Sequence, residues 1–321
     1  MAKADLSAIL VTDEDGVGLT RIIDRLSKLN GAGRLEVVVG APDPAALVVD
    51  PEKREAFAAF SVVEADVSTT ARARAAAIRA ASCDVIVITE DHAFPIDDDW
   101  VERHLAAHAE GHVGVGPLMC NANPSSGTGW ANLIVEYTQW LDVAEPTKMI
   151  SIPGHNSSYK RDALLAYGDD LSEMLEAEWH MHLDMGSRGE TLLLDPRIRV
   201  SHLNPAYPGH ASRLQILAGW MFAASRARNW PLWKRIAWAL SFPAIVAIRC
   251  VRILATALSS KRLRAQLPLT TYPMIVFLLL CSGIGEGIGY AIGDGGRRGD
   301  LAEYEYRRWQ LLRPDDPVGP A

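Results

Sequence analysis

The sequence predicts an α/β protein with a mostly parallel, mixed sheet covered by helices on both faces, followed by a helical, basic and apolar region. Short apolar, β-prone runs alternate with helical-period segments through the first two hundred residues. One of them, Asp84 to Thr89 (DVIVIT), reads as a fully buried strand. Between Leu203 and Gly285 the chain has no Asp or Glu but ten Lys and Arg, in a protein whose net charge is −7. An acidic body with a basic, apolar appendage is a statement about partners.

Taken in order, Ser7 to Thr12 (SAILVT) is a buried strand, and Leu19, Ile22, Ile23, Leu26 and Leu29 recur at helical spacing until Asn30-Gly31. Leu35 to Val39 is a second strand, ended by Gly40-Ala41-Pro42, and Phe60 to Val63 a third. Thr70 to Ala81 is Ala-rich and helical and leads into DVIVIT. Asp97-Asp98-Asp99 opens a helix through His108, its acids placed to meet the helix dipole. Thr191 to Leu194 and Ile198 to Ser201 are strand-like, and residues 313–321 read as a loose tail. The expected division is a site-bearing domain over 1–204, a membrane-associating helical region over 205–295, and a terminal helix and tail over 296–321.

At 321 residues, 49% hydrophobic and 22% charged, the chain is long and apolar enough for a full core, which excludes wholesale disorder and a disulfide scaffold. The four cysteines are far apart with no CxxC pair, which fits a reducing compartment. The first residues lack the charged and apolar regions of a signal peptide, so none is expected.

Chemistry in such sheets collects beyond the carboxyl ends of the strands. DVIVIT runs directly into Glu90-Asp91-His92, whose carboxylates and imidazole suit Mn²⁺ or Mg²⁺; a capping cluster or surface turn is the other reading. Three Glu and two His crowd residues 173–182, and Glu178 and His182 are four apart, able to share a helix face. His104, His108 and His112 also fall at helical spacing and are expected on a solvated face.

Together these pieces resemble the family 2 glycosyltransferases, inverting enzymes of the Rossmann-like GT-A fold. In ARARAAAIRAASCDVIVITEDH, Ala73-Arg74 match that family's Ala-Arg pair, with Ala75 and Ala77 in place of its Asn and Gly. Glu90-Asp91-His92 stands at its DXD-type metal motif. Gly154-His155-Asn156 with Lys160-Arg161 resembles its acceptor segment, Ala177-Glu178 its Glu-Asp pair, and His202 its closing histidine. Gly285-Glu286-Gly287-Ile288-Gly289-Tyr290 matches a pattern common in membrane-associated members. The resemblance covers about residues 5 to 295, and departs from the family's Pro-Thr-x-Asn and Asp-Asp-Gly-Ser with Thr12-Asp13-Glu14-Asp15 and Gly40-Ala41-Pro42-Asp43.

The resemblance implies a metal-dependent inverting glycosyltransferase with a nucleotide-sugar donor, UDP-linked by expectation, and a lipid-linked or amphipathic acceptor. Glu178 takes the base position, given that burial raises its pKa toward neutrality. Glu90, Asp91, His92 and His202 supply the Mn²⁺ or Mg²⁺ ligands, which two of the first three being open. Asp13, Asp43, Arg72 and Arg74 fall to the donor, and His155 and Asn156 to the acceptor. A catalytically inactive membrane scaffold is the alternative, and a metal-dependent hydrolase a weaker one.

The region after residue 203 sets Trp220, Trp230, Trp233 and Trp238 among Lys and Arg, a mixture favoured at membrane–water interfaces. Its apolar runs are interrupted or short of about twenty clean residues. Peripheral, monotopic or re-entrant helices on an anionic membrane surface at the cytoplasmic face are therefore expected over full spans. A homodimer surface is the plainer reading of the same residues, and nucleic acid is not an expected partner of so acidic a body.

Overall fold

The computed structural model describes residues 4–13, 16, 18–314 and 316. Glu14 and Asp15, and residues 315 and 317–321 of the expected tail, lie outside that set. The described chain forms two compact units. The first comprises the described residues of 1–120 with 143–201, the second 121–142 with the described residues of 202–318.

The first unit is built on a nine-stranded sheet: β1 (Leu6–Val11), β2 (Leu35–Ala41), β3 (Ala59–Glu64), β4 (Val85–Ile88), β5 (Ala93–Pro95), β6 (Gly114–Asn121), β7 (Thr147–Met149), β8 (Ser158–Lys160) and β9 (Leu192–His202). The order is β3-β2-β1-β4-β8-β6-β9-β5, with β7 paired to β9. β1 to β4 are mutually parallel where paired; β8 enters antiparallel between β4 and β6, so the sheet is mixed. Every residue of β1 and β2 is buried, as strands covered on both faces require, and the two polar ones, Ser7 and Glu36, bond each other. β6 and β9 run across the division between the units, so Asn121 and His202, their last residues, are counted with the second although the strands belong to the sheet. The two expected strands at residues 191–194 and 198–201 are one strand, β9.

The helices of this unit are α1 (Leu19–Ser27), α2 (Pro51–Glu55), α3 (Thr70–Ala80) and α4 (Trp100–Ala109), then, numbered after one helix of the second unit, α5 (Gly127–Tyr137), α6 (Arg161–Leu165), α7 (Leu171–Glu176) and α8 (Glu178–Ser187). α1 buries Leu19, Ile22, Ile23 and Leu26 on one stripe. α3 starts from Thr69, whose hydroxyl accepts from the Arg72 amide, and buries Ala71, Ala73, Ala75 and Ala77. These small side chains let its backbone approach the end of β2: a Cβ added at Gly40 would stand 2.9 Å from the Ala73 carbonyl oxygen.

Two local expectations are corrected. Asp97, Asp98 and Asp99 precede α4 and do not fill its first turn. They pair instead with Arg199, Arg25 and Arg103, and the helix begins one residue after Asp99. His104, His108 and His112 are buried, not solvated, for the face of α4 that carries the first two also carries Trp100, Val101 and Ala107. The His112 carbonyl accepts from His108 Nδ1 (3.0 Å), so His108 Nε2 is an acceptor and the Ser158 hydroxyl donates to it at 2.8 Å. Ser158 Oγ in turn accepts from His104 Nδ1 at 2.7 Å. Burial pushes His104 down to about 3 and His108 to about 4, so both are neutral in the folded protein.

The second unit contains α5 with α9 (Pro208–Arg226), α10 (Leu232–Leu240), α11 (Phe242–Ser259), α12 (Lys261–Gln266), α13 (Thr271–Ile292) and α14 (Arg298–Tyr306). α13 is its axis. Small residues let α13 and α9 meet backbone to backbone: a Cβ would stand 2.0 Å from the Ile216 oxygen at Gly285, 2.3 Å from the Trp220 oxygen at Gly289, and 2.2 Å from the Ser282 oxygen at Gly219. Glu286, inside this apolar helix, is paired with Arg249 of α11. Arg235 of α10 donates to the Tyr290 and Ala291 carbonyls at 2.9 and 3.1 Å, satisfying the end of α13. α11 and α13 are each long and apolar enough to cross a membrane, by length and composition alone.

The histidine chain makes stability depend on acidity. His104, His108 and His182, the last also held near 4, bind protons in the unfolded chain from about pH 6.5 downward but not in the folded one. Their contribution is complete above pH 6.5 and declines as pH falls toward 4, by about 1.4 kcal/mol per pH unit for each proton the unfolded chain alone takes up. Urea melts from pH 7 to 4.5 are expected to show this decline, and His104→Gln to reduce its slope. An unchanged slope would place the proton uptake elsewhere.

Candidate metal centre and adjoining carboxylate

β4 ends at Ile88, and the chain turns at Thr89 into Glu90-Asp91-His92 before β5, so a parallel strand delivers the three side chains to its carboxyl end. Glu90 is buried there with three neighbours. Arg74 of α3 donates to its Oε1 at 3.1 Å, Asn156 Nδ2 donates to its Oε2 at 2.9 Å, and His92 Nε2 stands 3.5 Å from Oε2. Asn156 reaches it from the loop before β8 through a left-handed backbone, φ 72°, which Asn tolerates better than other non-glycine residues. Its own amide donates to the Ile88 carbonyl at 2.7 Å, tying that loop to β4.

The two histidines are set in one tautomer. His92 Nδ1 lies 2.8 Å from Asp91 Oδ1, and a carboxylate only accepts, so Nδ1 carries the proton and Nε2 the lone pair. His202, at the end of β9, has Nδ1 3.1 Å from Asn204 Oδ1. The Asn204 amide nitrogen donates to the His202 carbonyl at 2.9 Å and to Asn121 Oδ1 at 3.1 Å, which fixes its oxygen toward the ring. Tyr137 lies against the same ring, centroids 5.2 Å apart, with its hydroxyl 3.4 Å from Nε2.

Ligand atoms of Glu90, His92 and His202 all lie within 4.8 Å of one another, and all three residues are buried. Donors about 2.0–2.2 Å from a single ion stand up to about 4.4 Å apart, so little adjustment closes this set around a divalent cation. One carboxylate and two imidazoles, each ring backed by a hydrogen-bond acceptor, would make a ligand set with outer support. Three protein ligands would leave a divalent cation room for further oxygen ligands.

Glu178 is the first residue of α8. Ala177 separates it from α7 with φ −126° and ψ 53°, so Glu176 and Glu178 belong to different helices, and Glu176 faces solvent. The Glu178 carboxylate lies over Gly154: a Cβ there would stand 1.8 Å from Oε2. His155 Nδ1 is 3.2 Å from Oε1, the side chains being 35% and 16% exposed. Burial raises the Glu178 pKa, but the His155 charge outweighs it, with help from Arg74, and the net shift is downward. The expected rise toward neutrality is thereby reversed. In the same pair, burial depresses His155 while Glu178 and then Glu90 raise it further, to about 9. His182, one turn along α8, bonds Ser151 Oγ and the Tyr159 hydroxyl, each at 2.9 Å.

The structure therefore brings together Glu90, His92, His202, Arg74, Asn156, His155 and Glu178. Asp91 stands behind His92, outside the three-residue ligand set. Arg72 is 56% exposed and paired with Asp66. Asp13 follows β1, and Asp43 is exposed in the turn after β2, accepting from the Ala45 amide; neither is among the groups around Glu90. Sequence reasoning missed Gly154 as the seat of the carboxylate, Asn204 and Tyr137 around His202, and the bond from Asn156 to Glu90. Only the Gly-x-Asn spelling hinted at a special backbone there.

No family model and no curated protein matches the chain. Among solved structures it is similar to the mannosyltransferase PcManGT from Pyrobaculum calidifontis, in complex with GDP-Man and Mn²⁺. The two are 18% identical with a TM-score of 0.54, over 89% of this chain and 88% of that one. It is also similar to GalNAc-T7 with UDP, GalNAc and Mn²⁺ (16% identical, TM-score 0.47, 70% of this chain and 50% of that one). A third is S. aureus TarS 1–349 in complex with UDP (13%, 0.43, 98% and 95%). The likeness to PcManGT shows a shared fold, consistent with the GT-A architecture.

Because Asp91 and Asn204 orient the ligands without being among them, Asp91→Ala and Asn204→Ala are each expected to weaken Mn²⁺ binding about 10- to 100-fold. Arg72→Ala should leave it unchanged. Calorimetric titration with MnCl₂ measures all three, and wild-type affinity in both orienting variants would refute the assignment.

Proposed function

We propose that this chain is a divalent-cation-dependent glycosyltransferase that transfers a sugar from a nucleotide-sugar donor to an acceptor hydroxyl with inversion. The observation that carries the reading is the convergence of Glu90, His92 and His202 on one point, with an ionised, half-enclosed carboxylate, Glu178, on the adjoining loop and helix. The fold shared with a mannosyltransferase supports it.

Glu90, His92 and His202 would hold the cation, whose chemistry is to neutralise charge on a diphosphate. Two imidazoles and one carboxylate suit Mn²⁺ better than Mg²⁺, which prefers oxygen throughout. Arg74 and the His155 imidazolium add fixed positive charge beside that position, favouring an anionic leaving group. Glu178 accepts the acceptor hydroxyl's proton as that oxygen bonds the anomeric carbon and the bond from carbon to phosphate oxygen breaks. Its lowered pKa keeps it ionised at neutral pH, and His155 and the neighbouring Gly154 set where it points.

The donor is expected to be UDP-linked, with GDP-linked sugars the first comparison. Asp13 and Asp43, at the ends of adjacent parallel strands, and Arg72 are the residues to test against its nucleoside. The acceptor is lipid-linked or amphipathic and met at the cytoplasmic face of a membrane, a reading supported by the basic, apolar surface of the second unit.

A thermal-shift panel of UDP- and GDP-sugars with and without MnCl₂ should give one Mn²⁺-dependent stabilisation. No response to any donor would sink the proposal. With the donor known, Glu178→Gln should lower kcat about 10²- to 10⁴-fold while donor affinity stays within a few-fold. Gly154→Ala, whose methyl displaces that carboxylate, should act in the same direction. Glu176→Gln should be unaffected; a dead Glu176→Gln beside a healthy Glu178→Gln would move the base to α7.

A further inference from the structure

We propose, resting on the membrane-side reading above, that α10 and the outward face of α11 form a monotopic anchor lying in the headgroup region of an anionic bilayer, with α13 packed along α9 and not across the membrane.

α10 is nine residues, about 14 Å, far short of the roughly 30 Å hydrocarbon core, yet none of its residues is buried. Leu232, Trp233 (72% exposed), Ile236 and Leu240 (76%) lie along one stripe of it. Its other side is fastened to the protein: Arg235 holds the Tyr290 and Ala291 carbonyls, and Trp238 packs on Tyr290 at 5.7 Å. α11 carries exposed apolar residues of its own, Ile248 and Val251. Its Arg249 turns inward to Glu286, whereas Arg252 is exposed among the apolar residues. An outward Arg is costly at mid-bilayer but reaches the phosphates easily from a helix lying flat. α13, the more apolar helix, buries Ile275, Leu278, Leu279, Cys281 and Tyr290, and Phe277, Leu280 and Ile284 form a narrower exposed stripe beside the buried face.

Charge selects the occupant. A surface whose helices carry cations and no acid from Leu203 to Gly285 repels a second copy of itself and attracts anionic lipid. Large apolar side chains interspersed with Lys and Arg are the composition of an interfacial helix.

The full chain, without donor or metal, is incubated with phosphatidylcholine vesicles and with vesicles containing 30% phosphatidylglycerol, and sedimented. Binding at least about 10-fold stronger to the anionic vesicles is expected, together with a loss of at least about 10-fold in Trp233→Glu/Leu240→Glu. Both residues are exposed, so circular dichroism and Mn²⁺-dependent donor binding should be unchanged in that variant. Trypsin trapped inside the vesicles should leave bound protein intact. Equal binding to both vesicles, undiminished binding by the variant, luminal cleavage, or a wild-type dimer that the variant splits would each overturn the proposal. Because the vesicle assay needs no sugar chemistry, failure of the catalytic reading shows only in the donor panel.

Discussion

The Glu90 carboxylate is the point on which the first unit's architecture converges. A buried carboxylate is unfavourable unless paired and hydrogen-bonded. Here one oxygen takes Arg74 from α3 and the other takes Asn156 from the loop before β8. The alanines of α3 bring its backbone close enough to the sheet for Arg74 to reach, and the left-handed backbone of Asn156 turns its amide to the same carboxylate. Removing any one of these leaves a charge or amide stranded in the interior. The surrounding geometry is therefore specified by a demand for charge satisfaction, and His92 Nε2 stands 3.5 Å from Oε2.

The same economy governs the histidines. Asp91 and Asn204 each accept from an Nδ1, so both rings present Nε2. His155 and Glu178 settle on opposite sides of neutrality because each stabilises the other's charge against burial. Elsewhere in the unit burial wins outright: His104, His108 and His182 have hydroxyl or carbonyl partners instead of carboxylates and remain neutral. One residue type thus stands as candidate ligand, as cation and as neutral core group, according to what its ring nitrogens meet.

The second unit solves a different problem. Its central helix is strongly apolar, and one side of it is buried by bringing α9 to backbone contact through Gly219, Gly285 and Gly289. Large side chains lie on both sides of this packing: Trp238 packs inward on Tyr290, while Trp233, Leu240, Ile248 and Val251 stay exposed on α10 and α11.

The sequence alone determined the alternation of buried strands and amphipathic helices, the delivery of Glu90-Asp91-His92 at the end of β4, and the basic, acid-free character of the region after residue 203. These follow from periodicity and composition, which act along a few consecutive residues. Only the tertiary structure decided that β8 enters antiparallel beside β4, that His104 and His108 face inward, that Asp91 supports His92 while Arg74 and Asn156 hold Glu90, and that Glu178 lies over Gly154 with its pKa lowered. Each of these turns on a partner distant in sequence: Ser158 for the two histidines, His202 for His92, His155 for Glu178. Burial and charge pairing depend on such neighbours, and local pattern carries no record of them.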